Sequence, residues 1–225
     1  MSGFPELQKI TKILADQSRL DILTILIDGR FHTVNELAKM VKIKSHTASY
    51  HLKQLCQLGW ITSYKQGRNV YYSLCSKDVA DLLEKLMNMS PTKKILSFNK
   101  DHEYQQLSKG RSCYKHLAGK LGVSFFNYLI RKKYITLEKA NLSLTNAGVK
   151  YFESLGVQIS DVQKKPGIFL KPCLDWTERT FHLGGNLGRA FFDFCDQNTF
   201  IVSNTHNRSV DLTIAGKTFF SSFNL

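Results

Sequence analysis

The sequence lacks a long apolar run, an N-terminal leader pattern and an abundance of acidic residues. Its longest aliphatic stretch, residues 22–27, is short and interrupted by a threonine, so it predicts no membrane-spanning segment. Residues 1–6 contain neither a basic segment nor an apolar one, so we expect no signal peptide. The five cysteines are odd in number and match no disulfide framework, which predicts reduced thiols and a cytoplasmic location.

Positive charge, by contrast, is abundant. The 225 residues include 31 lysines and arginines against 18 aspartates and glutamates, a formal net charge of +13. This excess indicates a polyanionic partner. It is concentrated between residues 30 and 74, where seven basic residues accompany a single acidic one. The contents of 43% hydrophobic and 22% charged residues are ordinary for a folded protein and exclude disorder as the main state.

The first part of the chain has helical periodicity. Apolar residues recur at helical spacing over residues 7–14 and again over 20–27, which predicts two amphipathic helices. Thr33 and Glu36 have the spacing of a capping box and predict the start of a third helix. Ser45 is expected to cap a fourth.

A hairpin and a further helix follow. The β-prone segments 61–64 and 70–74 flank Gly67 and predict the hairpin. A fifth helix begins at Ser76, with four apolar residues predicted on one side: Val79, Leu82, Leu83 and Leu86. Helices followed by a hairpin in this order predict a winged helix-turn-helix, and hence a mainly α fold with small β-hairpins.

The fourth predicted helix, 45–57, has a polar face opposite its apolar one. With Ala48, Leu52 and Leu55 inward, the other face shows groups that suit base edges and phosphates in a major groove. The basic hairpin tip, 65–69, is placed to reach backbone phosphates or an adjacent minor groove. An excess of basic residues is by itself typical of a solvated surface. Its coincidence with this helix and hairpin favours DNA binding. The predicted DNA-binding residues are Lys44, Ser45, His46, Thr47, Ser49, Tyr50, Lys53, Lys65, Gln66, Arg68 and Asn69.

Four segments of this region carry a family resemblance: Ala15–Leu23, Glu36–Ala38, Ser45–Leu55 and Gly67–Leu74. Together they resemble the ArsR-type (arsenical-resistance repressor) winged-helix regulators of prokaryotes, over about residues 4–90. The resemblance implies a homodimer, built largely on the first and fifth helices. It also implies binding to a palindromic operator in double-stranded DNA, usually with repression of transcription.

The resemblance does not extend to the metal-sensing sites of that family. The Cys-x-Cys pattern of the third helix is absent from Val34–Met40. The fifth helix has the carboxylates of Asp78, Asp81 and Glu84 but no histidine, which the other familiar site requires. We therefore assign no metal site and no cofactor from the sequence.

The second half of the chain contains an internal repeat. Residues 116–129 align with 182–195 at seven identical positions of fourteen. Residues 144–155 align with 212–223 at six of twelve. Each copy is predicted to contain a glycine-bearing helix, a hairpin and a second helix that begins at a capping threonine. The capping residues are Thr145 and Thr213.

Glycines inside the first helix of each copy need a reason, since each costs about 1 kcal/mol relative to alanine. We expect the two copies to pack about a pseudo-two-fold axis, with the helices crossing closely at these positions. The glycines are Gly119, Gly122, Gly185 and Gly188. Two phenylalanine pairs are expected to fill the core, with an apolar ligand pocket as the alternative. They are Phe125, Phe126, Phe191 and Phe192.

These patterns predict two domains. Residues 1–92 are expected to form a winged helix-turn-helix domain for DNA binding and dimerisation. Residues 93–225 are expected to form an α+β domain for an effector or for oligomerisation. Within it, two winged-helix-like repeats are predicted, at about 111–157 and about 171–225.

A cysteine and a histidine precede each repeat. One interpretation is that they are buried packing residues. The other is that the neighbouring cations Arg111 and Lys171 favour the reactive thiolate form of each cysteine. Two cysteines and two histidines also suit zinc, but spacings of three and nine residues are not the usual closed-finger pattern. The effector could be a thiol-reactive species, a metal or a small molecule. The candidate effector residues are Cys113, His116, Cys173, Trp176, Arg179 and His182.

The sequence therefore predicts a cytoplasmic, homodimeric, DNA-binding transcriptional regulator, a repressor rather than an enzyme. Two alternatives from other classes remain. The second half could be an enzyme with a cysteine nucleophile and a histidine base. The whole chain could instead be a sequence-neutral nucleoid protein.

Overall fold

The computed structural model describes residues 4–92, 94, 97–139 and 141–223. The chain divides into two compact units, residues 1–86 and 87–225. The ends of the predicted domains, residues 1 and 225, and the predicted boundary residue 93 lie outside the described residues. So do residues 1–3 of the N-terminal segment, in which we expect no signal peptide. No helix in the described part of the chain is both long and apolar enough to cross a membrane.

The first unit consists of short helices and one small sheet. Its elements are α1 (Leu7–Leu14), α2 (Gln17–Leu26), β1 (His32–Thr33), α3 (Val34–Val41), α4 (Ser45–Gln57), β2 (Ile61–Gln66), β3 (Asn69–Leu74) and α5 (Lys77–Met89), whose last residues belong to the second unit. Helices α2, α3 and α4 pack against one another. Their contact buries an aliphatic core that includes Ile22, Leu23, Leu26, Leu37, Ala38, Ala48, Leu52 and Leu55.

Side-chain caps define the helix boundaries in this unit. Thr33 and Glu36 form the predicted capping box at the start of α3. That helix ends at Lys42, whose left-handed backbone (φ 60°) turns the chain toward α4. The prediction for Ser45 is wrong, because the N-cap of α4 is Lys44 and Ser45 is the first helical residue. The hydroxyl of Ser45 instead donates to Asn35 Oδ1 at 2.9 Å, which joins α4 to α3.

The sheet has three strands in the order β1–β3–β2, all antiparallel. Strands β2 and β3 form the predicted hairpin, with Ile61 opposite Leu74 and Gln66 opposite Asn69. Strand β1 was not predicted, since two residues are too few to show a periodicity. Its pairing with β3 attaches the start of α3 to the hairpin.

Helix α5 has one apolar side, which is only partly covered. Val79 and Leu83 are buried, at 9% and 3% exposure. Leu82 and Leu86 are 39% and 37% exposed. The four residues have the i, i+3, i+4, i+7 spacing of a single helix side, as the sequence predicted, and that side is buried at two of them and partly exposed at the other two.

The second unit repeats one order of elements. After α6 (Phe98–Lys109), a hairpin, a 13-residue helix, a second hairpin and another helix follow, and the same order then recurs. The first series is β4 (Arg111–Cys113), β5 (His116–Ala118), α7 (Gly119–Arg131), β6 (Ile135–Glu138), β7 (Asn141–Leu144) and α8 (Asn146–Ser154). After α9 (Ile159–Lys164), the second series is β8 (Lys171–Leu174), β9 (Phe181–Gly184), α10 (Gly185–Gln197), β10 (Ile201–Ser203), β11 (Val210–Leu212) and α11 (Ile214–Phe220), with a 3₁₀ turn over Ser221–Phe223.

Local signals explain where the later helices begin. Thr145 and Thr213 accept hydrogen bonds from Gly148 N and Gly216 N, each at 3.0 Å, and so cap α8 and α11 as predicted.

The predicted phenylalanines lie in one aromatic core, where they are between 1% and 8% exposed. This burial favours the core interpretation of those residues over a ligand pocket.

The glycines of α7 and α10 have a different structural reason from the one expected. A Cβ on Gly122 would lie 2.0 Å from Leu117 O, and one on Gly188 would lie 2.3 Å from Leu183 O. In each case the close neighbour is the carbonyl group of the preceding hairpin rather than an opposing helix. Gly119 and Gly185 have φ values of +74° and +82°, a conformation that favours glycine. The glycines therefore let each helix begin directly against its own hairpin.

Candidate nucleic-acid interface and cysteine–histidine cluster

Helix α4 is buried on one face and exposed on the other. Ala48, Leu52 and Leu55 are fully buried beneath the helix, as the sequence predicted. Of the predicted DNA-binding residues, only Thr47 is partly buried, and the other ten are exposed. On α4 the exposed ones are Ser45, His46, Ser49, Tyr50 and Lys53.

Arg19 holds α4 in place from the neighbouring helices. Its guanidinium group donates to Ile13 O at 2.9 Å, to Lys12 O at 2.8 Å and to Gln54 Oε1 at 2.8 Å. Gln54 in turn donates to the Tyr50 hydroxyl at 3.1 Å. No sequence pattern marks Arg19, because these contacts depend on how α1, α2 and α4 pack together. Arg19 is thus a positioning residue behind the exposed face of α4.

The tip of the β2–β3 hairpin is polar, basic and exposed. Gln66 and Asn69 are the last paired residues, and Gly67 turns the chain with a φ of +59°. A Cβ at this glycine would meet nothing within 4 Å, so the conformation alone favours glycine here. Lys65 and Arg68 are both exposed, which leaves two cations available at the tip.

The loop between α2 and β1 contains a buried carboxylate. Asp28 is 3% exposed; it accepts hydrogen bonds from Arg30 N and Arg30 Nε and lies 2.8 Å from His32 Nε2. Burial opposes its ionisation, but the hydrogen bond to His32 and the charges of His32 and Arg30 lower the pKa of Asp28. The three side chains fix the loop that leads into α3.

In the second unit, two hairpins bring cysteines and histidines together. Cys113 lies directly opposite His116 across β4–β5, and Cys173 lies directly opposite His182 across β8–β9. Strands β5 and β9 are in contact. The potential ligand atoms of the four side chains all lie within 4.8 Å of one another. Cys173 is partly buried and the other three residues are buried, so this cysteine–histidine cluster is an internal group of metal-binding type.

Asp175 supports the cluster from one side. Its Oδ2 lies 3.4 Å from His182 Nδ1, and its Oδ1 lies 3.0 Å from Arg111 Nη2. Asp175 also accepts hydrogen bonds from Gly119 N at 2.7 Å and from Thr177 Oγ1 at 2.7 Å. Burial opposes its ionisation, but His182 and Arg111 hold the pKa of Asp175 well below the usual range. Burial likewise disfavours a charged His182, yet Asp175 and Cys113 raise the pKa of His182 to about 9.

Two of the predicted effector residues lie apart from these four. Trp176 packs under Arg111, whose guanidinium carbon lies 4.6 Å from the ring centroid. Arg179 is exposed and donates to Asn88 O at 2.8 Å. Arg111 forms an ion pair with Asp175, so the positive charge of the guanidinium group interacts with that carboxylate. The structure thus groups Cys113, His116, Cys173 and His182 and separates Trp176 and Arg179 from them.

Comparison with known proteins identifies the family. Residues 16–63 match the model described as bacterial regulatory protein, arsR family. An uncharacterized HTH-type transcriptional regulator of Bacillus subtilis, YdfF, is 36% identical over 216 residues, which are 96% of each chain. The chain belongs to the ArsR family. This ArsR-family protein is a DNA-binding transcriptional regulator with a winged helix-turn-helix.

Shorter relatives match about a third of this ArsR-family chain. A cadmium resistance transcriptional regulatory protein, CadC, of Listeria innocua is 32% identical over 80 residues, 36% of this chain and 67% of its own. An arsenical resistance operon repressor of Staphylococcus aureus is 32% identical over 84 residues, 37% of this chain and 80% of its own. The cysteine–histidine cluster lies outside the residues that match the family model.

Proposed function

We propose that this ArsR-family regulator represses transcription by binding, as a homodimer, a palindromic operator in double-stranded DNA. Helix α4 enters the major groove, and the wing, residues 65–69, contacts the backbone. The observation that carries the proposal is the division of α4 into a fully buried apolar face and an exposed polar one. A helix anchored in this way can present side chains to base edges without losing its own packing.

The exposed side chains of α4 have the chemistry required for reading bases. His46 and Ser49 can donate or accept hydrogen bonds, and Lys53 can donate to guanine or to a phosphate. The contact of Gln54 with the Tyr50 hydroxyl fixes a fourth polar group on this helix. We therefore assign sequence discrimination to α4.

The wing contributes affinity rather than discrimination. Lys65 and Arg68 are exposed at a tip where Gly67 allows a tight turn. Neutralising a phosphate releases a counterion whatever the base sequence, so such contacts strengthen binding to any DNA. The +13 net charge of the chain also strengthens binding to DNA of any sequence.

The helices that remain partly exposed in the first unit support the proposed homodimer. Leu7 of α1 is 68% exposed, and Leu82 and Leu86 of α5 are 39% and 37% exposed. Apolar residues grouped on helices are typical of surfaces that pair with another chain. Two copies related by a two-fold axis would place two α4 helices in successive major grooves of a palindrome.

Repression is the expected direction of regulation, because a dimer bound over a promoter blocks access to it. The Staphylococcus aureus relative is named as a repressor. As a DNA-binding regulator of transcription, the protein would act in the cytoplasm.

The proposal is tested by selecting DNA fragments that the purified protein retains and by measuring affinity for the selected site. A regulator should prefer its operator to competitor DNA by roughly 10³-fold or more. Equal affinity for both would indicate a sequence-neutral nucleoid protein. A reporter gene placed behind the selected site should be less active when the protein is present.

Lys53→Ala tests the role of α4 directly. Losing this group should weaken operator binding by about 1–3 kcal/mol and reduce the preference over competitor DNA. Lys150→Ala is the matched control, since it removes one exposed lysine from α8 of the second unit. If both variants lose the same small amount of affinity, Lys53 acts only through net charge and α4 does not read the operator.

A further inference from the structure

The two hairpins of the cysteine–histidine cluster are arranged alike although their sequences differ in length. Two residues separate Cys113 from His116, whereas eight separate Cys173 from His182. In each hairpin the cysteine and the histidine are nevertheless direct cross-strand partners. Directly opposed residues of an antiparallel pair project to the same face. Each hairpin therefore offers one sulfur and one imidazole side by side.

The separation of the four ligand atoms is close to what a small tetrahedral ion requires. Zinc bonds of about 2.3 Å to sulfur and about 2.0–2.1 Å to nitrogen correspond to ligand atoms roughly 3.3–3.8 Å apart. In the structure these atoms lie within 4.8 Å of one another. Shortening the longest of these separations by about 1–1.5 Å would close the site around an ion.

The chemistry of the ligands selects the kind of ion. Thiolate sulfur and imidazole nitrogen favour zinc and related soft or borderline cations, whereas calcium and magnesium require oxygen. Two thiolates also balance the two positive charges of Zn²⁺, so the occupied site carries no net charge into the buried interior. With four protein ligands, no coordination position is left for a substrate, as in structural rather than catalytic zinc sites.

Asp175 supplies the support that a histidine ligand usually has. A metal-bound histidine commonly directs its second nitrogen to a carboxylate, which fixes the orientation of the ring. Here His182 Nδ1 lies 3.4 Å from Asp175 Oδ2, which leaves Nε2 as the nitrogen for the metal. Asp175 is fully buried and is itself held by Arg111 at 3.0 Å. A simple packing residue does not need this second set of partners.

We propose that Cys113, His116, Cys173 and His182 bind one Zn²⁺ ion in a closed tetrahedral site that joins the two hairpins of the second unit. Binding forms two zinc–sulfur and two zinc–nitrogen bonds, and the protons held on the ligand atoms pass to solvent. The ion links strands β5 and β9, which belong to the two successive series of elements. Its role is to stabilise that junction, which is a role separate from the DNA-binding surface of α4.

The test uses the full-length protein and needs no unidentified ligand. Protein purified without chelators, or refolded with zinc and desalted, should contain about one zinc per chain by elemental analysis. Replacing zinc with Co²⁺ should give the intense visible absorption of tetrahedral cobalt, together with the sulfur-to-cobalt charge-transfer band. X-ray absorption at the zinc edge should show two sulfur and two nitrogen neighbours.

Variants locate the metal within the chain. Cys113→Ser and Cys173→Ser change one atom each and should lower zinc affinity at least 100-fold, while Cys75→Ser, at an exposed thiol of the first unit, should keep the full content. If a variant fails to fold, the cobalt spectrum of the wild type still tests the proposal. The proposal is overturned if the wild type binds less than about 0.2 equivalents of zinc, or if bound cobalt is octahedral. It is also overturned if both cluster variants bind zinc as tightly as the wild type.

Discussion

Phe125 and Phe191 stack face to face in the second unit, with ring centroids 3.6 Å apart and planes 5° from parallel. The two residues hold matching positions in the aligned segments 116–129 and 182–195. Around them the contacts are reciprocal: a Cβ on Gly122 would lie 3.4 Å from His182 Cβ, and one on Gly188 would lie 3.6 Å from His116 Cβ. The two series of elements thus make equivalent contacts with each other, and their packing about a pseudo-two-fold axis stays a prediction.

Phe191→Ala should therefore destabilise the second unit strongly. Phe191 is 1% exposed and contacts the rings of Phe125, Phe152 and Phe220. Truncating such a residue leaves a cavity and costs about 3–5 kcal/mol in the free energy of unfolding. Urea denaturation should show this loss, and hydrogen exchange should place it in α7 and α10. Phe98→Ala, at a side chain that is 86% exposed, should change stability by less than about 0.5 kcal/mol.

Features with a local cause were predictable from the sequence. The capping box of Thr33 and Glu36 and the caps at Thr145 and Thr213 depend on residues three apart. The buried stripe of α4 follows from helical periodicity alone. In all these cases the signal and the structure lie within one or two turns of the chain.

The two hairpins that carry the cysteine–histidine cluster were not predictable. The hairpins β4–β5 and β8–β9 have strands of three or four residues, too short to show alternation. The spacing between Cys173 and His182 differs from that between Cys113 and His116, so alignment does not superpose the cysteines. Only the register across each strand pair, and the contact between β5 and β9, brings the four side chains together.

Arg68→Ala should weaken binding to all DNA sequences by a similar factor. Arg68 is exposed at the tip of the wing and is expected to contact a phosphate rather than a base. Losing one such contact should reduce the slope of log affinity against log salt by about one unit. Binding titrations on operator and competitor DNA across a range of salt concentrations give this slope. An unchanged slope, with affinity lost only on the operator, would assign Arg68 to base reading instead.

Replacing Leu82 and Leu86 together with lysine should convert the proposed homodimer to a monomer. Leu82 and Leu86 are the residues to replace because they are partly exposed, whereas Leu83 is 3% exposed and belongs to the core of the chain. The charged side chains should oppose pairing of α5 while the helical content, measured by circular dichroism, stays the same. Sedimentation should show a monomer, and operator binding should fall at least tenfold because a palindrome requires two copies.

A matched control for this prediction lies in the second unit. Leu137 and Val202 are 37% and 57% exposed on β6 and β10, and replacing both with lysine adds the same charge. This variant should remain dimeric. If the α5 variant also sediments as a dimer, the subunits are held together by another surface.

Asp28→Asn should reduce stability in a pH-dependent way. Although burial opposes ionisation, the interaction with His32 and Arg30 lowers the pKa of Asp28 from its unfolded value of 3.8. A carboxyl whose pKa is lower in the folded state stabilises the fold above its unfolded pKa, and this contribution disappears as the pH falls through the folded pKa. The variant should lose about 1–3 kcal/mol at neutral pH. As the pH falls below the unfolded pKa of 3.8 and through the folded pKa, the unfolding free energies of variant and wild type should converge. Curves that stay parallel would contradict the assignment.

The proposed zinc site makes a separate prediction about thiol reactivity. Cys173 is only partly buried, so we expect an alkylating reagent to react with its thiol when no metal holds it. Zinc coordination should slow alkylation of Cys173 at least tenfold, and a chelator should restore the rate. The exposed Cys75 is the internal control and should react equally fast in both forms, as followed by mass spectrometry of peptides. If Cys173 reacts at the same rate with and without zinc, its sulfur is not a ligand, and the cluster must be a packed core without a metal.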